Sequence, residues 1–315
     1  MIIESVELKN FRNYKSIQMD FDSGTNILYG DNAQGKTNIL ESLYLSATTK
    51  SHKGSKDKEL INFDADEAHI KTIINKKDIP YRIDIHLKKN SAKGIAVNGM
   101  PIKKASELFG ILNVVFFSPE DLNLIKNGPA ERRRFLDLEL CQLDKIYVYN
   151  MVNYNKVLNQ RNQLLKSLDF NGSLIDTLDI WDEKIAIAGS EVIYDRIEYI
   201  KKLQKKSTEI YNGISGEKEE LSIKYLSNVR YESEQKEDIA KIYFETMKKH
   251  RPNDLYLKNT TSGPHRDDIE ILINKISARK FGSQGQQRSA SLSMKLGEAE
   301  LKKRPAKNLY CFLMM

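Results

Sequence analysis

Cysteine is scarce in this chain of 315 residues, which contains only two, Cys141 and Cys311. They lie far apart in the sequence and neither has a metal-ligand neighbour, which argues against a disulfide framework or a zinc site and favours a reducing compartment. Long apolar runs are absent too, since none approaches the ~18 residues that a membrane span requires. Residues 1–8 carry acidic side chains where a signal peptide needs basic ones. We therefore expect a cytoplasmic protein that contacts no membrane.

Charged residues are abundant, at 30% of the chain, beside 40% hydrophobic residues. This balance is typical of a soluble globular protein, and the length allows two domains or one domain with a large insertion. The formal net charge of +7 favours a polyanionic partner, although many basic proteins bind no nucleic acid.

Residues 30–37 are the most informative stretch. They match the pattern GxxxxGK(S/T) at every fixed position, as Gly30, Asp31, Asn32, Ala33, Gln34, Gly35, Lys36 and Thr37. The flanks predict a short buried strand over 26–29 and a helix over 38–45. Such a strand, loop and helix N-terminus form an anion cradle for phosphates. We expect ATP to bind here, with Lys36 on its terminal phosphates and the Thr37 hydroxyl as a ligand of Mg²⁺.

Alternation of apolar and polar residues predicts further strands around this loop. They fall within residues 2–8, 16–21, 69–74, 81–87 and 94–97. Asn98-Gly99 after the last of them is typical of a two-residue hairpin turn of the I′ kind. Arg12, in the loop between the first two strands, either leans over the nucleotide or is a solvated hairpin charge.

Residues 112–117 predict a buried strand that runs into Ser118, Pro119, Glu120 and Asp121. An apolar strand that ends in carboxylates resembles a Walker B motif, but here a serine and a proline intervene, so the spacing is wrong. Glu120 and Asp121 are interpreted either as a helix N-cap with an acidic first turn or as a loop near the nucleotide.

Helical periodicity dominates from about residue 128 to 213. Apolar residues recur at steps of three and four: Leu140, Leu143, Tyr147, Met151, Tyr154, Leu158, Leu165, Leu168, then Leu178, Trp181, Ile185, Ala188 and Val192. With a break at 169–173, this pattern predicts two long helices, the first ~46 Å long, packed as an antiparallel arm. Basic runs at 132–134 and 201–206 are either solvated faces or contacts to a phosphate backbone.

A second phosphate-facing motif occurs near the end of the chain. Ser283, Gly285 and Gln286 form the pattern S-x-G-Q at the start of a helix whose predicted apolar face is Leu292, Leu296 and Ala299. Ser-Gly-Gln at a helix N-terminus is again typical of an anion site. Together with the upstream phosphate loop and the helical arm, it indicates an ATP-binding-cassette head, in which the signature helix of one subunit completes the nucleotide site of another.

The chain resembles the RecF family of bacterial DNA repair proteins. Six motifs occur in that family's order and spacing, at residues 10–14, 30–37, 117–122, 128–137, 263–268 and 281–288. The resemblance implies an α/β fold, namely a P-loop ATPase head of the cassette type related to SMC proteins, with an inserted antiparallel helical arm. The implied domains are the N-terminal part of the head at 1–122, the arm at 123–258 and the C-terminal part of the head at 259–315.

The resemblance also implies a function and partners. It predicts ATP-dependent homodimerisation on single-stranded and gapped DNA, a weak DNA-stimulated ATPase, and cooperation with RecO and RecR in RecA loading and SOS induction. Arg12 would contact the nucleotide phosphates in cis, while Ser283, Gly285 and Gln286 would reach the γ-phosphate of the partner's ATP. For His265 and Arg266, which match a family motif, a structural turn and a functional site are both open.

The family pattern stops after Leu301. No apolar strand that ends in an acid pair follows, so the Walker B, D-loop and switch residues are missing from residues 302–315. A two-base shift within codons compatible with residues 307–315 would restore Lys-Pro-Ile-Leu-Leu-Leu-Asp-Asp, and we hypothesise a frameshift, genuine or a sequencing error. Without those carboxylates we identify no catalytic residue, and we expect this chain to hydrolyse ATP negligibly and to expose a sheet edge that impairs folding.

The sequence leaves two other functional interpretations open. A P-loop kinase or small-molecule phosphotransferase would suit the basic loop after the phosphate-loop helix, but it leaves the motif at 283–286 and the arm unexplained. A non-catalytic fragment with nucleotide affinity at most is the other alternative.

Overall fold

The computed structural model describes residues 1–168, 172–302 and 310–313, with only the backbone described at Ser173 and at 310–313. The described chain divides into two compact units. The first is Met1–Glu120 together with the described residues after Leu301, and the second is Asp121–Leu301. Within the described residues, no helix is long and apolar enough to cross a membrane. The region of the hypothesised frameshift falls mostly outside the described residues.

The first unit is built on an antiparallel sheet. Its elements are β1 (Ile2–Phe11), β2 (Tyr14–Asp20), α1 (Lys36–Thr48), β3 (Glu67–Lys76), β4 (Ile79–Lys88), β5 (Ser91–Val97), β6 (Met100–Pro101), β7 (Val114–Phe117) and β11 (Tyr310–Leu313). Six strands form one sheet in the order β2-β1-β3-β4-β5-β6, every neighbouring pair being antiparallel. The strands predicted from alternation are thereby confirmed.

One face of this sheet forms the core of the first unit. In β3 the residues Ala68, Ile70, Thr72 and Ile74 are buried while those between them are partly exposed, as the two-residue period of a strand requires. The helix α1 packs on this face, where Ser46 Oγ lies 2.9 Å from Thr72 Oγ1 in a buried hydrogen bond. The loop that contains residues 30–35 connects β2, the edge strand of this sheet, to α1.

The turn between β5 and β6 has the predicted geometry. Asn98 and Gly99 have φ of 53° and 79°, both left-handed as a I′ turn demands. Val97 pairs with Met100 across the turn.

The strand predicted over residues 26–29 is wrong. These residues carry no strand assignment, and Ile27 and Tyr29 are 77% and 91% exposed. In the described part of the chain no neighbouring strand pairs with them, and an apolar run without a hydrogen-bonded neighbour cannot form a sheet. The predicted buried strand at 112–117 is confirmed over its last four residues: β7 pairs in parallel with β11, with Val114 opposite Tyr310 and Phe117 opposite Leu313.

The second unit combines helices with a small antiparallel sheet. Its elements are α2 (Asn123–Lys126), α3 (Pro129–Leu143), α4 (Lys145–Ser167), α5 (Leu178–Ser215), β8 (Leu221–Leu226), α6 (Lys236–Leu257), β9 (Asp268–Ile273), β10 (Ile276–Ser277), α7 (Ala278–Phe281) and α8 (Gln284–Lys302). The sheet order is β10-β9-β8. β9 pairs with β8, and both strands belong to the compact unit Asp121–Leu301. The domain division at 1–122, 123–258 and 259–315 stays a prediction.

The helical arm differs from the prediction in its first half. The expected single helix is two helices, because Asp144 adopts an extended conformation and its side chain accepts a hydrogen bond from Ile146 N at 2.8 Å, which starts α4 afresh. The second predicted helix is confirmed as α5, of 38 residues, with Leu178, Ile185 and Val192 buried. The predicted break at 169–173 lies partly outside the described residues.

A buried ion network joins α4, α5 and α6. Arg161 is fully buried, and its Nε donates to Asp182 Oδ1 at 2.7 Å. Its Nη1 lies 2.8 Å from both Thr260 Oγ1 and Asp254 Oδ2. Arg251 donates from the other side to Asp182 Oδ2 at 2.5 Å. Charges are tolerated at such depth only when they are paired and hydrogen-bonded, so this network holds the three helices in one arrangement.

Candidate nucleotide-binding site

The phosphate loop takes backbone conformations that only certain residues accept. Gly30 and Gly35 have φ of 138° and 95°, in the region that favours glycine, and Ala33 joins them at 64°. A Cβ added at Gly35 would lie 2.6 Å from the Tyr14 hydroxyl oxygen. The second glycine of the motif is therefore required both by its own conformation and by the close approach of Tyr14.

Lys36 closes the loop on itself. Its Nζ donates to the carbonyl oxygens of Gly30 at 2.7 Å and Asp31 at 2.6 Å, which places the ammonium group across the loop. The N-terminus of α1 has no side-chain cap and no acidic residue in its first turn. The first backbone N–H groups of the helix, its dipole and the lysine thus offer positive charge without a protein anion to meet it, which fits the phosphates of a nucleotide.

The remaining residues of the motif are accessible. Asp31, Asn32, Ala33 and Gln34 are exposed. The Thr37 hydroxyl has no hydrogen-bond partner among the residues that the structure describes, so its oxygen is available to a cation. Groups of three or more acidic, histidine or cysteine side chains that could hold a metal ion do not occur in the described residues. A cation here would thus depend on Thr37 and on the oxygens of a bound phosphate.

Arg12 is an ion-paired residue and not a solvated hairpin charge. Its Nε and Nη2 donate to the two carboxylate oxygens of Glu41 in α1, both at 2.9 Å, and Nη2 also donates to Ser55 Oγ. Burial alone would raise the pKa of Glu41, but the hydrogen bonds from Arg12 and Ser51 outweigh it and lower that pKa. Direct contact between Arg12 and a nucleotide stays a prediction.

The turn after Arg12 supports the phosphate loop. The sequence analysis did not identify this support. The Tyr14 hydroxyl donates to the main-chain oxygen of Gln34 at 3.1 Å, and Asn38 Nδ2 donates to Asn13 Oδ1 at 2.7 Å. Asn13, Tyr14 and Glu41 are thus positioning residues for the loop and its helix. No local pattern reveals them, because each contact joins residues that lie 20 or more positions apart.

Replacing Gly35 with alanine should lower the affinity for ATP about tenfold or more, since strain of roughly 1–3 kcal/mol at a left-handed position adds to the clash with Tyr14. Isothermal titration calorimetry measures the effect. Gly99→Ala is the matched control, because Gly99 also has positive φ, at 79°, but an added Cβ there meets nothing within 4 Å. Equal ATP affinity in the two variants would show that the Tyr14 contact does not shape the loop.

The second predicted phosphate motif forms a reciprocal cap. Ser283 Oγ accepts from Gln286 N at 3.2 Å, and Gln286 Oε1 accepts from Ser283 N at 2.8 Å. Gln286 Nε2 also donates to Glu219 Oε1 at 2.6 Å. Ser283 and Gly285 are exposed. Because the serine oxygen accepts from a backbone N–H group, its own proton stays free to donate to an external oxygen.

The predicted apolar face of α8 is wrong in part. Leu292 is 39% exposed, whereas Ala290 and Met294 are buried. Lys295 and Glu298 are also buried, as an ion pair with 2.6 Å between Nζ and Oε2. A charged pair on the buried side of a helix does not follow the apolar periodicity from which the face was predicted.

The motif at 263–268 is a structural turn at His265. The Tyr154 hydroxyl lies 2.6 Å from His265 Nδ1, and His265 Nε2 lies 3.0 Å from the carbonyl oxygen of Thr260. The carbonyl requires Nε2 to be the donor, so Nδ1 accepts from the tyrosine. Gly263 packs so tightly here that an added Cβ would overlap the Tyr243 hydroxyl. The side chain of Arg266 is exposed, while its backbone N–H donates to the carbonyl oxygen of Gly263 at 2.8 Å and closes the turn.

His265 should make the second unit less stable in acid. Burial lowers the pKa of His265 from 6.5 to about 4, so between these values the folded chain binds fewer protons than the unfolded chain. Stability is therefore lost as the pH falls from 6.5 towards 4, by up to about 3 kcal/mol.

The His265→Gln variant should show a flatter dependence of unfolding free energy on pH across this window, measured by urea denaturation. The wild-type chain is the reference for this slope. Burial raises the pKa of Asp267 to about 6, which produces the opposite trend, but that residue is present in every variant and cancels in the difference. Parallel curves for wild type and His265→Gln would contradict the expectation.

Glu120 and Asp121 lie in a single 3₁₀ turn, Pro119–Leu122, that leads into α2. The residue at the cap of α2 is Leu122, and the first turn of that helix holds no acid. The N-cap interpretation of these two carboxylates is therefore wrong, because the turn places them before the cap position.

Comparison with known proteins agrees with this geometry. A family model described as AAA ATPase domain matches residues 1–283. The chain is similar to proteins called DNA replication and repair protein RecF, with 58% identity over 305 residues to that of Agathobacter rectalis and 55% over 309 residues to that of Lachnoclostridium phytofermentans. These matches cover 96% and 98% of this chain, and 82% and 83% of the two relatives.

Solved structures give the same result. A structure described as the recombination mediator protein RecF-ATP in the RecFOR pathway has a TM-score of 0.94 at 36% identity, and covers 99% of this chain and 84% of that one. An SMC head domain from Pyrococcus furiosus, at 17% identity and a TM-score of 0.53, shares the fold. With identity above one half to named relatives over nearly the whole chain, the chain belongs to the RecF family.

Proposed function

We propose that this chain is an ATP-dependent DNA-binding protein of recombinational repair and replication, acting in the cytoplasm. It binds single-stranded and gapped DNA, mainly through backbone phosphates, and supports RecA loading and SOS induction. The observation that carries the proposal is the phosphate loop, where Lys36 and the uncapped N-terminus of α1 present unmatched positive charge. The names of the relatives supply the biological setting.

ATP and Mg²⁺ are the proposed ligands of the loop. Lys36 leaves the carbonyl oxygens of Gly30 and Asp31 to bind the terminal phosphates, and the backbone N–H groups of residues 30–37 surround them. The Thr37 hydroxyl oxygen provides a ligand for Mg²⁺. Arg12, already fixed by Glu41, contacts the phosphates of the same nucleotide from the neighbouring turn.

The signature residues serve a second subunit. Ser283 donates its free hydroxyl proton to the γ-phosphate of the partner's ATP, with Gly285 and Gln286 beside it at the start of α8. The reciprocal cap supports this role, since it holds Ser283 in place without using its proton. ATP is therefore the ligand that joins two copies of the chain on DNA.

The domain division at 1–122, 123–258 and 259–315 belongs to the same proposal, with the helical arm inserted into a head that binds ATP and DNA. RecO and RecR are the proposed protein partners, supported by the RecFOR pathway named for a similar structure. The ATP site does not identify the surfaces of this chain that RecO and RecR contact.

Dimerisation tests the proposal directly. Light scattering coupled to size-exclusion chromatography should show a monomer without nucleotide and a dimer with a slowly hydrolysed ATP analogue and Mg²⁺. Ser283→Arg should remove the dimer while ATP still binds, because a bulky cation replaces the hydroxyl at the subunit contact. Ser91→Arg, at an exposed serine of β5, is the control and should dimerise normally. A chain that binds ATP but stays monomeric in wild-type form would overturn the dimer proposal.

A further inference from the structure

A basic cavity of about 590 Å³ lies in the second unit, beside the connection from β8 to α6. It is lined by Ser227, Asn228, Arg230, Thr246, Lys249 and His250. Arg230 and Lys249 supply the positive charge, and the other lining side chains are hydroxyls, an amide and an imidazole. None of these six is a carboxylate. The lining therefore consists of hydrogen-bond donors and positive charge, which is the chemistry that recognises phosphate.

Residues 262–267 hold the polar lining of this cavity in place. Asn228 Oδ1 accepts from Gly263 N at 3.1 Å, and Asn228 N donates to Asp267 Oδ1 at 2.6 Å. His250 Nδ1 lies 2.9 Å from Ser262 Oγ. Among the described residues, Asn228 Nδ2 has no partner, so one amide donor remains for a ligand. The turn around His265 thus supports a preformed polar cavity in addition to its own packing.

Four cations of the basic runs that the sequence singled out already have partners, although Lys202 and Lys205 of the same runs are exposed and have no carboxylate partner among the described residues. The cavity differs from those two lysines because its cations share one lining with other hydrogen-bond donors. Arg132 is bound to Asp268 at 2.6 Å, and Arg133 donates to the carbonyl oxygen of Asp267. Lys201 pairs with Glu198 and Glu234, and Lys206 pairs with Glu209.

Arg230 and Lys249, by contrast, have no carboxylate partner in the described part of the chain, and both are exposed. A cation that already serves a carboxylate must break that pair before it can bind phosphate, whereas Arg230 and Lys249 incur no such cost.

We propose that the cavity of Arg230 and Lys249 binds a backbone phosphate of single-stranded nucleic acid. The inference rests on the proposed DNA binding of the chain and assigns a location to it. A volume of about 590 Å³ exceeds that of one phosphate group and admits the attached sugar as well. Arg230 donates to the phosphate oxygens in bidentate fashion, and Lys249 acts as a point charge beside it. Contacts of this kind position the strand without reading its bases.

The test compares charge-matched variants of the full chain. Arg230→Gln with Lys249→Gln removes both cations of the cavity, while Lys156→Gln with Lys166→Gln removes two exposed lysines of α4 outside it. Binding of a fluorescent single-stranded oligonucleotide, with ATP analogue and Mg²⁺ present, is measured by anisotropy at several salt concentrations. We expect the cavity variant to lose about tenfold in affinity at moderate salt, with a salt slope smaller by about one to two. The α4 variant should behave like wild type.

Each outcome separates this inference from the proposed function. If wild type itself does not bind the oligonucleotide, the DNA-binding proposal fails and the cavity assignment fails with it. If wild type binds and the two double variants lose affinity equally, the DNA-binding proposal stands and the cavity assignment fails. Circular dichroism monitors the thermal unfolding of both double variants. Equal melting temperatures exclude misfolding as the cause of a loss of affinity.

Chemical footprinting identifies the source of the phosphate. Acetylation of Lys249 by a small reagent is quantified by mass spectrometry with the oligonucleotide, with inorganic phosphate at the same phosphate concentration, or with neither. Protection of Lys249 by the oligonucleotide alone, with Lys156 unprotected, supports the assignment. Protection by inorganic phosphate as strong as that by the oligonucleotide indicates a pocket for small anions and overturns it.

Discussion

Lys36→Ala will bind ATP at least about 100-fold more weakly than wild type, a loss of roughly 3 kcal/mol. The side chain is the only cation of the motif, and a charge-assisted contact to phosphate in a preformed loop cannot be replaced by a neutral methyl group. In the absence of ligand the ammonium group binds the carbonyl oxygens of Gly30 and Asp31 at 2.7 and 2.6 Å. These exposed oxygens can turn to water in the variant, so the stability of the first unit should hardly change.

Fluorescence titration with a labelled ATP analogue measures this loss. Lys15→Ala, at an exposed lysine of β2, is the matched control and should retain wild-type affinity. The melting temperature of each variant without nucleotide shows that the fold is intact. An affinity of Lys36→Ala within a few-fold of the control would mean that residues 30–37 are not the phosphate site, and the proposed function would lose its central observation.

Arg161→Met should destabilise the second unit by about 3–5 kcal/mol, because it leaves buried carboxylates without their cation. Asp254 and Asp182 are both fully buried beside Arg161, and only Asp182 has a second arginine, Arg251. The hydrogen bond to Thr260 is lost too. A loss of this size approaches half of the stability of an ordinary domain, so the helices α4, α5 and α6 would separate far more readily.

Urea denaturation followed by far-UV circular dichroism measures the change in unfolding free energy. Lys156→Met, an exposed position on the same helix, should shift it by less than about 0.5 kcal/mol. A second variant, Arg161→Met with Asp254→Asn, should recover part of the loss, because the orphaned carboxylate is removed. If Arg161→Met matches the Lys156 control, the buried network does not stabilise the arm and packing alone must hold it.

Sequence reasoning succeeded where the signal is contiguous. The alternating strands β1 to β5, the helix α1 after the phosphate-loop motif and the helix α5 all follow from short-range patterns, and the structure contains each of them. It failed where an element depends on a distant neighbour. Residues 26–29 have the composition of a strand, but without a pairing strand among the described residues they remain exposed. The first arm helix was predicted too long because Asp144 caps the start of a new helix. The apolar periodicity continues across this residue and does not show the break.

Local spacing alone sufficed to predict the family of this protein, which its relatives confirm, and to propose residues 30–37 as its phosphate loop, because a nucleotide's phosphates are bound mostly by consecutive backbone groups and one lysine. Tertiary structure alone decided which distant residues support that loop, namely Asn13, Tyr14 and Glu41 with its partner Arg12. It also decided that His265 is a structural residue and that Arg230 and Lys249 are unpaired. Charge pairing and burial depend on the folded neighbours of a side chain, and these neighbours lie too far along the chain for any spacing rule to reveal.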